Sequence, residues 1–160
     1  MANRERLSFE RERGIREIRA ISGIAHVSVR NAATIDERLK ALSELKNDGI
    51  SIFLLKFHNG GLSFALNASR IDRTVDLLRK AGFECVTNPG CVLVSLFAQN
   101  VREMPDAFAR MSEALFECGA PVVQTGDAHD RINCLIPGQH AQDAVENLRA
   151  RFGVDRVSWE

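Results

Sequence analysis

The 160-residue sequence has no tyrosine, few other aromatic residues and no excess of charge of either sign. Aromatic residues make up 6% of the chain, and 21 acidic side chains balance 21 basic ones, so the pI is near 6.9. A chain without net positive charge has no long-range electrostatic attraction for nucleic acid or an anionic membrane. Sheet-based RNA-binding domains stack bases on aromatic residues beside basic neighbours, and Phe57 and Phe64 alone make an incomplete platform. Small molecules and proteins are therefore the expected partners.

Cysteine pairs and long apolar runs are absent as well. Four cysteines fall singly, with no C-x-x-C pair and no histidine at metal-ligand spacing: Cys85, Cys91, Cys118 and Cys134. This usage predicts reduced, packed thiols in a cytoplasmic protein. No apolar run reaches the length of a bilayer span, and the N-terminus is too charged for a signal peptide.

Catalytic and metal-binding patterns are missing too. Four histidines lie on different predicted elements, with no carboxylate spaced to orient any of them as a base: His26, His58, His129 and His140. No nucleotide-binding glycine motif and no nucleophile-elbow string occurs. The sequence therefore predicts a protein without catalysis, metal or cofactor.

What the sequence does contain is an internal repeat. Residues 24–88 and 91–159 align at an offset of 70, which places Asp36 over Asp106 and Gly49 over Gly119. Each copy is predicted to run strand, helix, strand, strand, helix, strand, which makes the fold class α+β with two ferredoxin-like βαββαβ modules in tandem. We expect each module to be an antiparallel four-stranded sheet with two helices on one face. The predicted division is a charged leader at residues 1–20, a first module at 21–88 and a second at 89–160.

Local signals place the elements within this plan. Thr34 and Glu37 have the spacing of a capping box, and Leu39, Leu42 and Leu45 then recur on one helical face. Asn59-Gly60 predicts a tight hairpin in which both central residues have positive φ. Residues 87–90 are predicted as a turn-rich linker, and residues 154–159 as the last strand. Modules of about 70 residues are marginally stable alone, so the open sheet faces are expected to pair with each other or with a second chain.

Strings in the second copy resemble the second ACT domain of aspartate kinase, and residues 24–88 more faintly resemble the first. They are VSL at 94–96, MP at 104–105, MSEAL at 111–115, RINCLI at 131–136 and AVENLRARF at 144–152. The resemblance implies a regulatory ACT pair that dimerises side by side, binds lysine or threonine between modules and inhibits a separate kinase domain. Because no kinase domain accompanies the repeat, we expect a free regulatory subunit, with a second copy and an enzyme subunit as partners.

The resemblance also implies a ligand loop between the first strand and first helix, ending in Pro-Gly, whose backbone amides face the carboxylate of an amino acid. Here Asp106 follows Pro105, and Asp36 stands at the corresponding place in the first copy. An aspartate about 5 Å from a ligand carboxylate costs roughly 3 kcal/mol at a dielectric of about 20, or about a hundredfold in affinity. Two other interpretations stay open: the acids complement positive helix ends, or they hold an ammonium group or a cation.

Further polar residues are candidates for lining such a site. Thr125 matches a Ser/Thr-rich string of the family if one residue is inserted. Taken singly, each candidate is better explained as part of a solvated turn, but we expect a few of them to line a pocket. The candidates are Asn31 and Thr34 in the first loop, Gln99 and Asn100 in the second, and Gln124, Thr125 and Asp127 on the second hairpin. The alternative function is a dimerisation scaffold that has lost its ligand, and a weaker one is catalysis by the chain itself.

Overall fold

Residues 14–160 are described by a computed structural model, and within them seven strands and four α-helices form one sheet with helices packed on it. The strands are β1 Ile15–Arg30, β2 Phe53–His58, β3 Gly61–Asn67, β4 Glu84–Ala98, β5 Gln124–Ala128, β6 Arg131–Pro137 and β7 Val157–Trp159. The helices are α1 Ile35–Asn47, α2 Ile71–Lys80, α3 Ala107–Glu117 and α4 Ala141–Phe152.

Two long strands, β1 and β4, serve both halves of the sheet. The strand order is β2-β3-β1-β4-β6-β5, with β7 added beside β1. In the first half, residues 24–29 of β1 pair antiparallel with β3 and with the start of β4. In the second half, residues 91–97 of β4 pair with β6 on one side and with residues 15–21 of β1 on the other. The chain is therefore α+β as predicted, but one seven-stranded sheet replaces two separate four-stranded ones.

The division of the chain differs from the sequence prediction. Residues 15–20, predicted as part of a leader, are strand, and residues 1–13 of that leader lie outside the described residues. Residues 15–21 fill the position predicted for residues 154–159, while β7 pairs only with β1, in parallel, as in Ile18↔Val157. Ile18 and Ala20 are fully buried, whereas the charged residues Glu17 and Arg19 beside them obscured this alternation in the sequence. The predicted linker at 87–90 lies inside β4.

The predicted helix cap and hairpin are both present. The Thr34 hydroxyl accepts from the Glu37 amide at 3.2 Å, and the Glu37 carboxylate accepts from the Thr34 amide at 2.9 Å, which confirms the capping box. β2 and β3 are joined by a two-residue turn at Asn59-Gly60. Only Gly60 has positive φ, at 82°, so the prediction that both central residues do was wrong.

Three apolar clusters hold the sheet. One lies under α1 and α2 around Leu62, Phe64 and Leu66, and a larger one lies under α3 and α4. A third lies on the face away from the helices, where Ile24, Ala65, Cys91, Leu93 and Leu135 are buried against Phe53, Leu54 and Val123. Because this third cluster contains residues of both halves, it confirms the expectation that the open sheet faces pair with each other.

Acid is expected to weaken this fold. Arg73 donates to Asp48 from Nε at 2.9 Å, and this hydrogen bond holds the pKa of the Asp48 carboxyl below its ordinary value of 3.8. A carboxyl with a lower pKa in the folded state contributes stability above the unfolded pKa, and that contribution is lost as the pH falls. Urea midpoints measured between pH 7 and 3 should therefore decline below about pH 4. In Asp48→Asn the decline should be shallower; equal slopes in the two proteins would contradict this account.

Candidate functional site

The first candidate loop, which leads from β1 into α1, is closed by its own side chains. Asn31 has φ 48°, its side-chain nitrogen donates to the Gly82 carbonyl at 3.1 Å, and its oxygen accepts from the Glu84 amide at 2.9 Å. The Thr34 hydroxyl is committed to the cap of α1. Asp36 is exposed on the first turn. Asn31 and Thr34 thus fix the loop, and both side chains are hydrogen-bonded within the chain in this arrangement.

The Glu37 carboxylate occupies the amides that a ligand carboxylate would require in this loop. One oxygen, Oε2, accepts from the backbone amides of Ala33 and Thr34, both at 2.9 Å. Hydrogen bonding from Thr34, led by its backbone amide, lowers the pKa of Glu37 below 4.5, so the group is charged at neutral pH. The positive end of α1 is therefore already neutralised by the chain itself.

The second candidate loop, which leads from β4 into α3, is more open. The Asn100 side chain accepts from the Arg102 amide at 3.2 Å and caps a short 3₁₀ turn, while Gln99 and Pro105 are not buried. Asp106 precedes α3 without a side-chain hydrogen bond to its amides, and pairs instead with Arg110 at 3.7 Å. Since this pair is exposed, Asp106 repels a ligand carboxylate less than the sequence argument assumed.

The second hairpin contributes one buried residue and two others. Gln124 is 9% exposed, and its Oε1 accepts from His26 Nε2 at 2.8 Å and from the Ser63 hydroxyl at 2.7 Å. Its Nε2 donates to the Leu54 carbonyl. The Gln124 amide is therefore hydrogen-bonded to three groups of the first half. It joins the two halves instead of lining an open site. Thr125 is half-buried and Asp127 is exposed.

The candidates form separate groups, one in each half. The first loop lies against its own hairpin, because the Ala32 amide donates to the Gly60 carbonyl at 2.9 Å. The second loop does the same, with the Val101 amide donating to the His129 carbonyl at 3.0 Å. Within residues 14–160, no hydrogen bond joins a candidate of the first loop to one of the second. Over the same residues, no three potential ligands gather into a metal site, and no helix is long and apolar enough to cross a bilayer.

An exposed apolar surface on α1 and β2 was not predicted. Ile35 is 81% exposed, Leu39 60% and Phe57 55%, and together with Leu42 and Arg38 they line a shallow groove. We call this set the α1–β2 surface. Leu39 was predicted to share a buried face with Leu45, but only Leu45 is in the core. The Arg38 guanidinium lies 5.5 Å from the centre of the Phe57 ring and covers part of it.

The internal repeat shows that the fold does not require these apolar groups. At an offset of 70, Leu39 corresponds to Ala109, Leu42 to Ser112 and Phe57 to Asp127. The same positions thus carry small or polar residues in the second half. β2 is also an end strand of the sheet, and among the described residues no strand pairs with its outer edge through backbone hydrogen bonds, while Gln124 of β5 contacts it at Leu54. An exposed apolar patch beside a free strand edge is typical of an interaction surface.

Solved structures that superpose on this chain include a regulatory subunit of an aspartate kinase and a whole aspartokinase. The regulatory subunit of aspartate kinase from Thermus flavus superposes with a TM-score of 0.80 at 16% identity, over 87% of this chain and 99% of that chain. E. coli aspartokinase III in complex with lysine and aspartate gives a TM-score of 0.69 at 14% identity, over 88% of this chain and 33% of that one. At these identities the likeness shows the fold.

Curated proteins with similar sequences are aspartokinases. Aspartokinase 1 of Bacillus subtilis is 22% identical over 147 residues, which are 88% of this chain and 36% of that protein. The aspartokinase of Thermus thermophilus is 25% identical over 81 residues, or 51% of this chain and 20% of that protein. No family model matches. The chain thus spans about a third or less of the relatives that it matches, and its resemblance to the regulatory region of aspartate kinase is confirmed.

Proposed function

We propose that the chain is a non-catalytic regulatory module of the aspartate-kinase type, built from two ACT domains, that controls a partner enzyme. The observation that carries this proposal is the superposition on nearly the whole Thermus flavus regulatory subunit. The absence of a catalytic pattern in the sequence agrees with it. Phosphorylation of aspartate by the purified protein would contradict the proposal. Inhibition of an added aspartate kinase catalytic domain would support it.

We further propose that the regulatory ligand is a small molecule of the amino-acid type, such as lysine or threonine, and that it binds at the second loop. A structural relative was solved with lysine and aspartate. The second loop offers the helix start at Ala107 without a side-chain cap, whereas Glu37 fills the corresponding place in the first loop. Among the candidates of this half, Gln99, Thr125 and Asp127 make no side-chain hydrogen bond within the described residues. Calorimetric titration with the standard amino acids tests the idea, and silence with all of them would favour a scaffold without a ligand.

The two acidic loop residues are expected to respond differently to substitution. Asp106→Gly should tighten amino-acid binding by about tenfold, less than the hundredfold of an unpaired charge, because Arg110 already offsets Asp106. Asp36→Gly is the matched control, since Glu37 still occupies the first loop. Calorimetric titration of both variants measures the difference. Equal affinities in the wild-type protein and Asp106→Gly would show that the acid does not oppose the ligand.

We also propose that the module is a homodimer formed through the α1–β2 surface. Pairing around a two-fold axis would bury Leu39 and Phe57 of each copy, while the start of β2 stays in contact with β5 through Leu54. The first half alone carries these apolar groups, which supports a dimer through the first halves over one through the second. Light scattering measures the oligomeric state directly.

A further inference from the structure

The two halves of the sheet meet at a seam that lacks backbone pairing. β2 and β5 are the opposite ends of the strand order, yet side chains bring them together. The Gln124 side chain bridges the seam from β5 to the Leu54 carbonyl, to Ser63 and to His26. Two paired strands would be joined by a series of backbone hydrogen bonds. Here, over the part of the chain that the structure describes, the hydrogen bonds across the seam are three, and all of them involve the Gln124 side chain.

Leu54 is held at this seam in a conformation that leucine rarely adopts. Its φ is 52°, and the β2–β3 register shifts between Phe53 and Lys56. Its side chain lies against Gly126 of β5, where an added Cβ would lie 2.7 Å from Leu54 Cδ2. A positive φ at a branched residue persists only where surrounding contacts enforce it. Leu54 is therefore strained when the seam is closed, and Gly126 provides the space that it needs.

His26 loses a hydrogen bond when the seam is closed. It is 6% exposed, and its Nε2 must donate to Gln124, because the amide oxygen only accepts. Its Nδ1 is then left as an acceptor, and it has no hydrogen-bond partner among the described residues. A buried polar atom without a partner disfavours the closed arrangement, as the strain at Leu54 does.

The strands that connect the halves contain two glycines, each just before one residue of the Ile24–Cys91 pair. Gly23 in β1 has φ 69° and Gly90 in β4 has φ 71°. The β1–β4 register shifts on both sides of Ile24, which pairs with Cys91. Bulged strand segments with positive-φ glycines can absorb changes in backbone angle, and both strands that run through the two halves, β1 and β4, contain such a segment.

We propose that the two halves open and close about a hinge at Gly23 and Gly90, and that Gln124 is the latch that holds them closed. The closed arrangement gains the Gln124 hydrogen bonds and the third apolar cluster, while opening relieves Leu54 and exposes His26 to water. A hinge populates two conformations when contributions that favour the closed arrangement are offset by contributions that favour the open one. This device does not depend on the identity of the ligand, and it gives a regulatory module a defined motion.

Two cysteines report separately on opening and on unfolding. Cys91 is 2% exposed in the cluster between the halves, whereas Cys134 is fully buried under α3 and α4. Burial raises the pKa of the Cys91 thiol, and it raises the pKa of Cys134 to about 12, so both react slowly while buried. Opening at the seam would admit a thiol reagent to Cys91 alone, whereas global unfolding would expose both thiols.

The decisive experiment follows the rate at which N-ethylmaleimide modifies each cysteine, resolved by peptide mass spectrometry. Gln124→Glu replaces the donor to the Leu54 carbonyl with a carboxylate oxygen, and it should raise the rate at Cys91 by at least about tenfold. The rate at Cys134 should stay unchanged. Gln139→Glu, the same substitution at an exposed residue, should alter neither rate. Small-angle scattering should show a larger radius of gyration for Gln124→Glu only.

A milder variant keeps the test valid if Gln124→Glu folds poorly. Ser63→Ala removes one donor to Gln124 and should raise the Cys91 rate by about fivefold. Equal increases at Cys91 and Cys134 in these variants would overturn the proposal, because they would show cooperative unfolding without a hinge. Unchanged protection of Cys91 in both variants would overturn it as well, since the latch would then be unnecessary for closure.

Discussion

Leu39→Glu is expected to convert the proposed homodimer into monomers, with Kd raised at least about a hundredfold. Leu39 is 60% exposed at the centre of the α1–β2 surface, between Ile35 and Phe57. Burying its side chain at an interface contributes about 1.5–3 kcal/mol, and a two-fold axis counts that contribution twice. The glutamate adds the cost of taking a carboxylate out of water. Sedimentation velocity over a range of concentrations measures the change.

The internal repeat provides a matched control for this substitution. Ala109→Glu introduces the same side chain at the corresponding exposed position of α3, where Asp106, Ser112 and Glu113, one turn away, are polar and exposed. Its dimer affinity and stability should both stay close to those of the wild-type protein. If Ala109→Glu dissociates the dimer and Leu39→Glu does not, the second halves form the interface. A monomeric wild-type protein at every concentration would remove the dimer proposal.

Phe64→Ala is expected to lower the free energy of unfolding by about 3–5 kcal/mol, the range for removing a large buried aromatic side chain. Phe64 is fully buried at the centre of β3, beneath α1 and α2, with Leu62 and Leu66 on the same face. Removing the ring leaves a cavity inside the close-packed first-half cluster. The surrounding buried side chains can fill little of that cavity. Urea unfolding of both proteins at one protein concentration measures the change, because any contribution from dimer dissociation is then the same in the two proteins.

Phe116→Ala is the matched control for the core substitution. Phe116 is the same residue type on α3, but it is 86% exposed, so its removal should change stability by no more than about 0.5 kcal/mol. A loss below about 1 kcal/mol in Phe64→Ala would show that the first-half cluster does not hold the helices. A large loss in Phe116→Ala would show that Phe116 is covered in solution.

Glu37 and Gln124 show how far candidate-site residues could be inferred from the sequence. The capping box was predictable, because its two hydrogen bonds join residues three apart, and the same bonds show that the first loop is occupied. The role of Gln124 was not, because its partners His26 and Ser63 lie 98 and 61 residues away in the chain. No local pattern distinguishes a glutamine that bridges two sheet halves from one that lines an open site.

The α1–β2 surface marks a similar limit. Helical periodicity placed Leu39 on a face with Leu45, but periodicity cannot tell a face that packs on the sheet from one that continues around the helix toward a partner. The comparison of Leu39 with Ala109 becomes informative only once both are known to be exposed. The difference between Leu39 and Ala109 was thus already visible in the repeat. It could be interpreted only after the structure showed that both side chains are exposed.

By itself the sequence determined the α+β class, the four helices and the cap at Thr34, because each depends on residues close together in the chain, and its internal repeat is visible in the residues directly. It predicted eight strands where seven form, because β4 continues through the predicted linker. Tertiary structure alone decided that residues 15–21 complete the second half, that β1 and β4 join both halves into one sheet, and that Gln124 closes the seam. Strand pairing joins distant residues through backbone groups that are alike in nearly every residue type, so the sequence gives little indication of it. The Gln124 contacts also join residues that are far apart in the chain, which no local pattern predicts.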